Sequence, residues 1–243
     1  MTKIHLINCK LLQVLFVVAL MLRVFNFANC QTVNRNKNVV PIDLGLPSGC
    51  LWSEMNLGAL SCEKSGSFFY WGVAEPCKKG GRYKYGKDYY YTGGGKTKYL
   101  KYVTNKEYGT VDGKTNLEPE DDAAAVMLGD LWSIPSLSDF EELLEYCSWK
   151  ETYRNNVQGI EFVGPNGNSI FFPVTGHFDD SYGLLIGDSS YWSKSLDTED
   201  GNDNAYALII KQVAEGLEVS IDFNYRTDGG LIRPVKHIKN YIY

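Results

Sequence analysis

The chain has 243 residues, with 29 acidic against 24 basic side chains and a net charge of −5. That balance excludes the basic stripe by which a domain grips nucleic acid, and the length suffices for one large core or two small ones. Aromatic residues are plentiful, with 17 tyrosines among them, and their uneven spread becomes the main functional cue.

Residues 1–30 read as a signal peptide. Lys3 and Lys10 form a basic start, and Leu11 to Leu22 is an apolar run broken only by Gln13. Such a run is too short to span a bilayer, which needs about 20 residues, and it matches a secretory h-region. Small residues around Ala28-Asn29-Cys30 point to cleavage before Gln31, hence to an exported protein that is secreted, periplasmic or at the cell surface. Lipid attachment at Cys30 is the lesser alternative, because Phe27 and Asn29 suit a lipobox poorly. Cleavage removes three basic residues and no acid, moving the net charge from −5 to −8. No later run reaches membrane length, so no membrane-spanning segment is expected.

Four cysteines remain after the cut: Cys50, Cys62, Cys77 and Cys147. Outside the cytoplasm they can pair, in three connectivities that the sequence leaves open. None sits in a CxxC, and His5, His177 and His237 are far from them and from each other. By ligand spacing no zinc site is expected.

In chain order, residues 31–39 read as a polar linker before a single domain over 40–238. Val40 to Trp71 is strand-and-turn material, with a turn at Leu46-Pro47-Ser48-Gly49. Residues 76–108 form a long surface excursion, rich in glycine, tyrosine and lysine and poor in aliphatic side chains. A helix is expected over Leu117 to Gly129, its acids filling the first turn where the dipole favours negative charge and Gly129 stopping it. Calcium is the alternative use for those acids. A second helix opens at Ser136, capped reciprocally by Asp139, and buries Phe140, Leu143, Leu144 and Cys147 at helical spacing.

After Trp149 the pattern turns to β. Asn166-Gly167 between Gly159–Val163 and Ser169–Val174 signals a hairpin. Further strands are expected at Tyr191–Leu196, Ala205–Lys211, Leu217–Tyr225 and Leu231–Lys236. Strands gathered after two helices predict an α+β domain.

Several motifs carry a family resemblance, in this order: Asp43-Leu44-Gly45-Leu46-Pro47-Ser48-Gly49-x-Leu51-Trp52, Asn56-Leu57-Gly58-Ala59, Phe69-Tyr70-Trp71-Gly72, Leu117 to Ala124, Leu131 to Ser136, Gly164 to Asn168, Tyr191-Trp192-Ser193 and Arg233-Pro234-Val235. Over residues 42–236 the chain resembles the Fibrobacter succinogenes major paralogous domain family, exported proteins of gut-type Bacteroidetes. The resemblance implies a C-type-lectin-like fold: a twisted antiparallel sheet, two flanking helices, long surface loops, and the N- and C-terminal strands adjacent. It transfers no catalytic residue. The chain also lacks the late cysteine pair of formylglycine-generating enzymes and the sugar-binding calcium motifs of lectins.

The candidate ligand contacts are the tyrosines of the excursion, Tyr83, Tyr85, Tyr89, Tyr90, Tyr91, Tyr99 and Tyr102, with Trp71 or Trp192 as a floor. Tyrosine supplies rigid contact area with a polar tip. The loop Asp197 to Asn204 is oxygen-rich enough for calcium but lacks EF-hand spacing; no other cofactor is expected. His177 near Asp179 and Asp180, Ser193 or Ser195, and the pair Glu75 and Glu118 form no recognisable catalytic constellation. The expectation is a non-enzymatic binding domain for a glycan or a surface protein. A surface-assembly or adhesion subunit is the first alternative, and a hydrolase of extracellular polysaccharide or peptide the second.

Overall fold

A computed structural model describes residues 39–77, 90–93, 96–179, 183–199 and 202–237. The chain divides after Asn38, so the expectations for the signal peptide, for Cys30 and for residues 31–38 of the linker lie outside the described residues. Among the described residues no helix is long and apolar enough to cross a membrane.

The two ends of the domain share one sheet. Strand β1 (Pro41–Asp43) pairs with β2 (Leu51–Ser53), and β2 pairs with the last strand, β16 (Val235–Lys236), in the register Val235 to Trp52. The other edge of β16 pairs with β6 (Trp132–Ser133). A second sheet joins β3 (Phe69–Tyr70), β15 (Gly229–Gly230), β10 (His177–Asp179) and β11 (Gly183–Leu185). Strands β4 (Tyr90–Gly93) and β5 (Lys96–Tyr99) make a separate hairpin. The meander β7 (Ser148–Arg154), β8 (Val157–Val163) and β9 (Ser169–Pro173) is another, and β12 (Ser189–Leu196), β13 (Asn204–Val213) and β14 (Gly216–Tyr225) form the last.

This corrects the α+β expectation and the C-type-lectin-like fold drawn from the resemblance. The domain is mostly β, 41% strand against 9% helix, and not a clear lectin-type fold. Among the described residues the strands fall into five small antiparallel sheets instead of one twisted sheet. The register of β12 on β13 shifts between Trp192 and Leu196 and resumes at Leu196 opposite Ala205, a bulge within that sheet. The first helix is also short: α1 (Ala123–Leu128) starts only after Asp122, whose carboxylate accepts the Ala124, Ala125 and Ile134 N–H groups. The acids before it are therefore outside the helix. The second helix, α2 (Leu137–Tyr146), has the expected reciprocal cap of Ser136 and Asp139.

The sheet β12–β13–β14 has two buried faces, and side-chain alternation divides the core between them. Tyr191 and Leu208, paired across the ladder, face a cluster with Trp52, Phe140, Phe162 and Phe172. Trp192 and Ala207, the next pair, face a cluster with Trp71, Ala124 and Ile134. Each such buried ring is worth about 1.5–3 kcal/mol over its exposed state. Gly230 is required by this packing, since a Cβ there would lie 2.7 Å from the Trp192 indole nitrogen.

Buried Arg233 ties the ends together. It is fully inaccessible, and donates to Asn56 Oδ1, the Ser53 and Glu54 carbonyls and the Phe171 carbonyl, with its guanidinium 4.4 Å over the Phe172 ring. Burial pushes its pKa down to about 10, so it remains charged at neutral pH. The four described cysteines are free thiols.

Candidate functional site

Four of the nominated aromatic residues are interior groups. Trp71 is 1% exposed, Tyr99 2%, and Tyr102 and Trp192 fully buried. Trp71, Tyr99 and Tyr102 do come together, but around Arg226. Its guanidinium lies 4.1 Å over Tyr99 and 4.7 Å over Trp71, and it donates to the carbonyls of Lys101, Tyr102 and Asn202. Trp71 meets the edge of Tyr102 at 5.2 Å. The aromatic box exists, and the protein's own cation fills it.

The polar tips are also spent inside. The Tyr102 hydroxyl donates to Asp121 at 2.6 Å and accepts the Glu118 N–H; burial, reinforced by Asp121, holds it above the usual phenol range. The indole N–H groups of Trp71 and Trp192 donate to the Ser193 and Phe69 carbonyls. Tyr99 donates to Asp203. These four rings anchor the base of the excursion to the core. Tyr83, Tyr85 and Tyr89 lie outside the described residues, and so do the side chains of Tyr90 and Tyr91, whose backbones pair in β4.

An open groove of about 530 Å3 lies instead at the start of α2. Leu117 and Leu137 give it an apolar floor, and Asn116, Ser136, Ser138 and Ser195 line it with hydroxyl and amide groups. Lys194 and Glu141 add one charge of each sign. The backbone fixes this wall: Leu117 N–H donates to the Lys194 carbonyl, and Lys194 N–H to the Pro135 carbonyl. Asn116 and Ser195 form an isolated antiparallel bridge, and the Ser195 hydroxyl donates to Asn116 Oδ1 at 2.8 Å while accepting the Leu137 N–H. The lining is mostly polar, unlike the mainly apolar pockets of small-molecule sites, and offers hydrogen-bond donors and acceptors to a polar ligand.

Of the nominated catalytic groups Ser195 lines this groove, with no histidine among the lining residues. His177 Nδ1 meets the Asp188 carbonyl at 3.2 Å, Glu118 pairs with Lys114, and Asp180 lies outside the described residues. Ser193 Oγ accepts the Ser195 N–H. His237 meets Asp139, not a serine. In the candidate calcium loop, Asn202 Oδ1 is taken by the Thr104 and Asn105 N–H groups and Asp197 Oδ1 by Glu199 N–H; Asp200 and Gly201 lie outside the described residues.

One set of ligand-type side chains does converge: Cys50, Asp139 and His237 place sulfur, oxygen and nitrogen atoms within 4.8 Å of one another. Burial pushes the Cys50 thiol far up, with Asp139 and Glu142 adding to it. Burial also pushes Asp139 up, but bonds from His237 and Ser136 outweigh it and leave the carboxyl low. Asp139 in turn raises His237.

Compared with family models, curated proteins and solved structures, the chain gives no match.

Proposed function

We propose that this chain is an exported, non-enzymatic domain that binds a glycan in the groove at the start of α2. The observation that carries the reading is the groove's lining: neutral hydroxyl and amide groups over two leucines, with one ammonium and one carboxylate. A sugar presents alternating hydroxyls and C–H faces, and such a wall complements both. Neither described histidine is bonded to a serine hydroxyl, so no serine–histidine pair for acyl transfer supports the hydrolase alternative. The signal-peptide pattern of residues 1–30 and the ordered motifs of the paralogous-domain resemblance support export.

A glycan array followed by titration calorimetry with a positive glycan tests this. Lys194→Ala removes one charged donor and should weaken binding by about 1–2 kcal/mol, or roughly tenfold in Kd. Ser138→Trp, which fills the groove from an exposed position, should remove binding with little change in melting temperature. Glycan binding that survives Ser138→Trp unchanged, or no glycan bound at all, overturns the reading.

A further inference from the structure

We propose that Cys50, Asp139 and His237 form a binding site for a zinc-type divalent ion. The three residues come from the turn entering β2, the first turn of α2 and the segment just after β16. They meet because β16 pairs with β2 and α2 packs Phe140 against Trp52, with ring centroids 5.6 Å apart. Their distance in sequence is why ligand spacing along the chain is silent about them.

The chemistry fits, and so does the Asp139–His237 edge; the widest separation in the set, 4.8 Å, closes by about 1 Å when an ion with legs of about 2.0–2.3 Å is bound. A thiolate, an imidazole and a carboxylate are the ligand types that borderline ions take, and three protein ligands leave the fourth tetrahedral position for water. His237 Nε2 and Asp139 Oδ2 stand 3.4 Å apart. That is long for a charge-assisted hydrogen bond, which favours about 2.7–2.9 Å. It equals the edge of a tetrahedron with metal–ligand legs of about 2.0–2.2 Å.

Asp139 is held in place by Ser136, whose N–H and hydroxyl both donate to Oδ2 at 2.7 Å; an ion bound at that oxygen displaces the hydroxyl's bond and leaves the Ser136 N–H to orient the carboxylate. The Cys50 side of the cluster is buried, while the His237 side chain is 46% exposed and gives an ion a way in. Charge balance also fits. A thiolate and a carboxylate neutralise a divalent ion, and the nearby Glu142 and Lys194, which both act on Cys50 and His237, oppose each other. Binding releases the Cys50 thiol proton, and the His237 proton where it is present, to solvent.

The full chain titrated with Co2+ under reducing conditions tests this. One equivalent should produce a thiolate-to-cobalt charge-transfer band in the near ultraviolet, and Zn2+ should displace it. Cys50→Ser should abolish the band, whereas Cys62→Ser should keep it. His237→Ala should weaken Zn2+ binding in calorimetry at least tenfold, with a metal-free melting curve close to that of the parent protein. If Cys50→Ser fails to fold, His237→Ala decides the matter, because its half-exposed ring can be removed without opening the core. Absence of the band in the parent protein, a band that survives Cys50→Ser, or equal Zn2+ affinity in His237→Ala overturns the proposal.

Discussion

Arg226 decides how the aromatic residues near it are to be understood. A guanidinium that is 1% exposed, stacked between two rings and bonded to three carbonyls, holds together segments 99–103, 202–203 and Trp71. Removing it takes a donor from the buried Tyr102 and Asn202 carbonyl bonds and from the part-buried Lys101 one, and a lost bond at a buried carbonyl costs about 1–3 kcal/mol. Arg226→Ala should therefore destabilise the domain by about 4 kcal/mol or more in denaturant unfolding. Arg226→Lys should recover only part, because an ammonium lacks the planar fork. A loss below about 1 kcal/mol would mean that the box is not a structural unit. Tyr102→Phe should cost about 1–2 kcal/mol, since it removes the acceptor of the part-buried Glu118 N–H and one of the donors to Asp121 Oδ2, which keeps Lys101 at 2.9 Å. Composition marked these tyrosines as unusual, but it carries no sign of the arginine that occupies them. Buried arginines have no periodicity, and their partners here are carbonyls of remote segments.

Glu161 gives the domain a measurable acid sensitivity. Arg154 at 2.7 Å, with Lys150 and Ser169 adding to it, holds this carboxyl below its usual range. A carboxyl depressed in the folded state contributes stability that is present above its unfolded pKa, near 4.3, and is lost as pH falls through the folded value. The partners are partly exposed, so the contribution is about 1 kcal/mol or less. Glu161→Gln should lower stability at neutral pH by that amount and flatten the stability profile below about pH 4.5. An unchanged profile would mean that the pair is energetically silent.

At the level of elements, short-range chemistry was the most legible. The Asn166-Gly167 hairpin is present, with Gly167 at φ 85° between β8 and β9. The Ser136–Asp139 cap begins α2 where expected. The turn between β7 and β8 was not singled out from the sequence: Asn155 and Asn156, at φ 47° and 63°, take the left-handed conformation that a two-residue hairpin turn requires. The helix over Leu117 to Gly129 was drawn too long, because acids before a helix read like acids in its first turn. Asp122 is where the distinction lies, since it caps α1 and also binds Ile134 N–H. Burial raises its pKa against the pull of those N–H donors. Asp122→Ala should cost about 2–3 kcal/mol, beyond an ordinary cap of about 1 kcal/mol, and Asp122→Asn less. Equal effects of the two substitutions would contradict this division of roles.

For the whole molecule, the pairing of β2 with β16 joins the two ends of the domain and is the feature on which the proposed metal site rests. Leu231, Ile232, Arg233 and Val235 are all fully buried, so deleting 231–236 should abolish cooperative unfolding, where trimming an accessory tail would leave the transition intact. The adjacency of the two end strands was expected from the family resemblance, and β16 does pair with β2. The division into five sheets among the described residues was not legible, because two of them are held together by two-residue strands, β3, β6, β15 and β16, that carry no periodic signal. The groove was not legible either, since Asn116, Ser136 and Lys194 lie on three separate segments joined only by backbone pairing.

The most direct test of the glycan-binding reading is the amide footprint of a bound oligosaccharide, mapped by NMR on the labelled protein. The account expects shifts at Leu117, Leu137, Ser138, Lys194 and Ser195, with the amides around Tyr99 and Tyr102 unmoved. A footprint confined to β4 and β5, with the start of α2 unaffected, would contradict it.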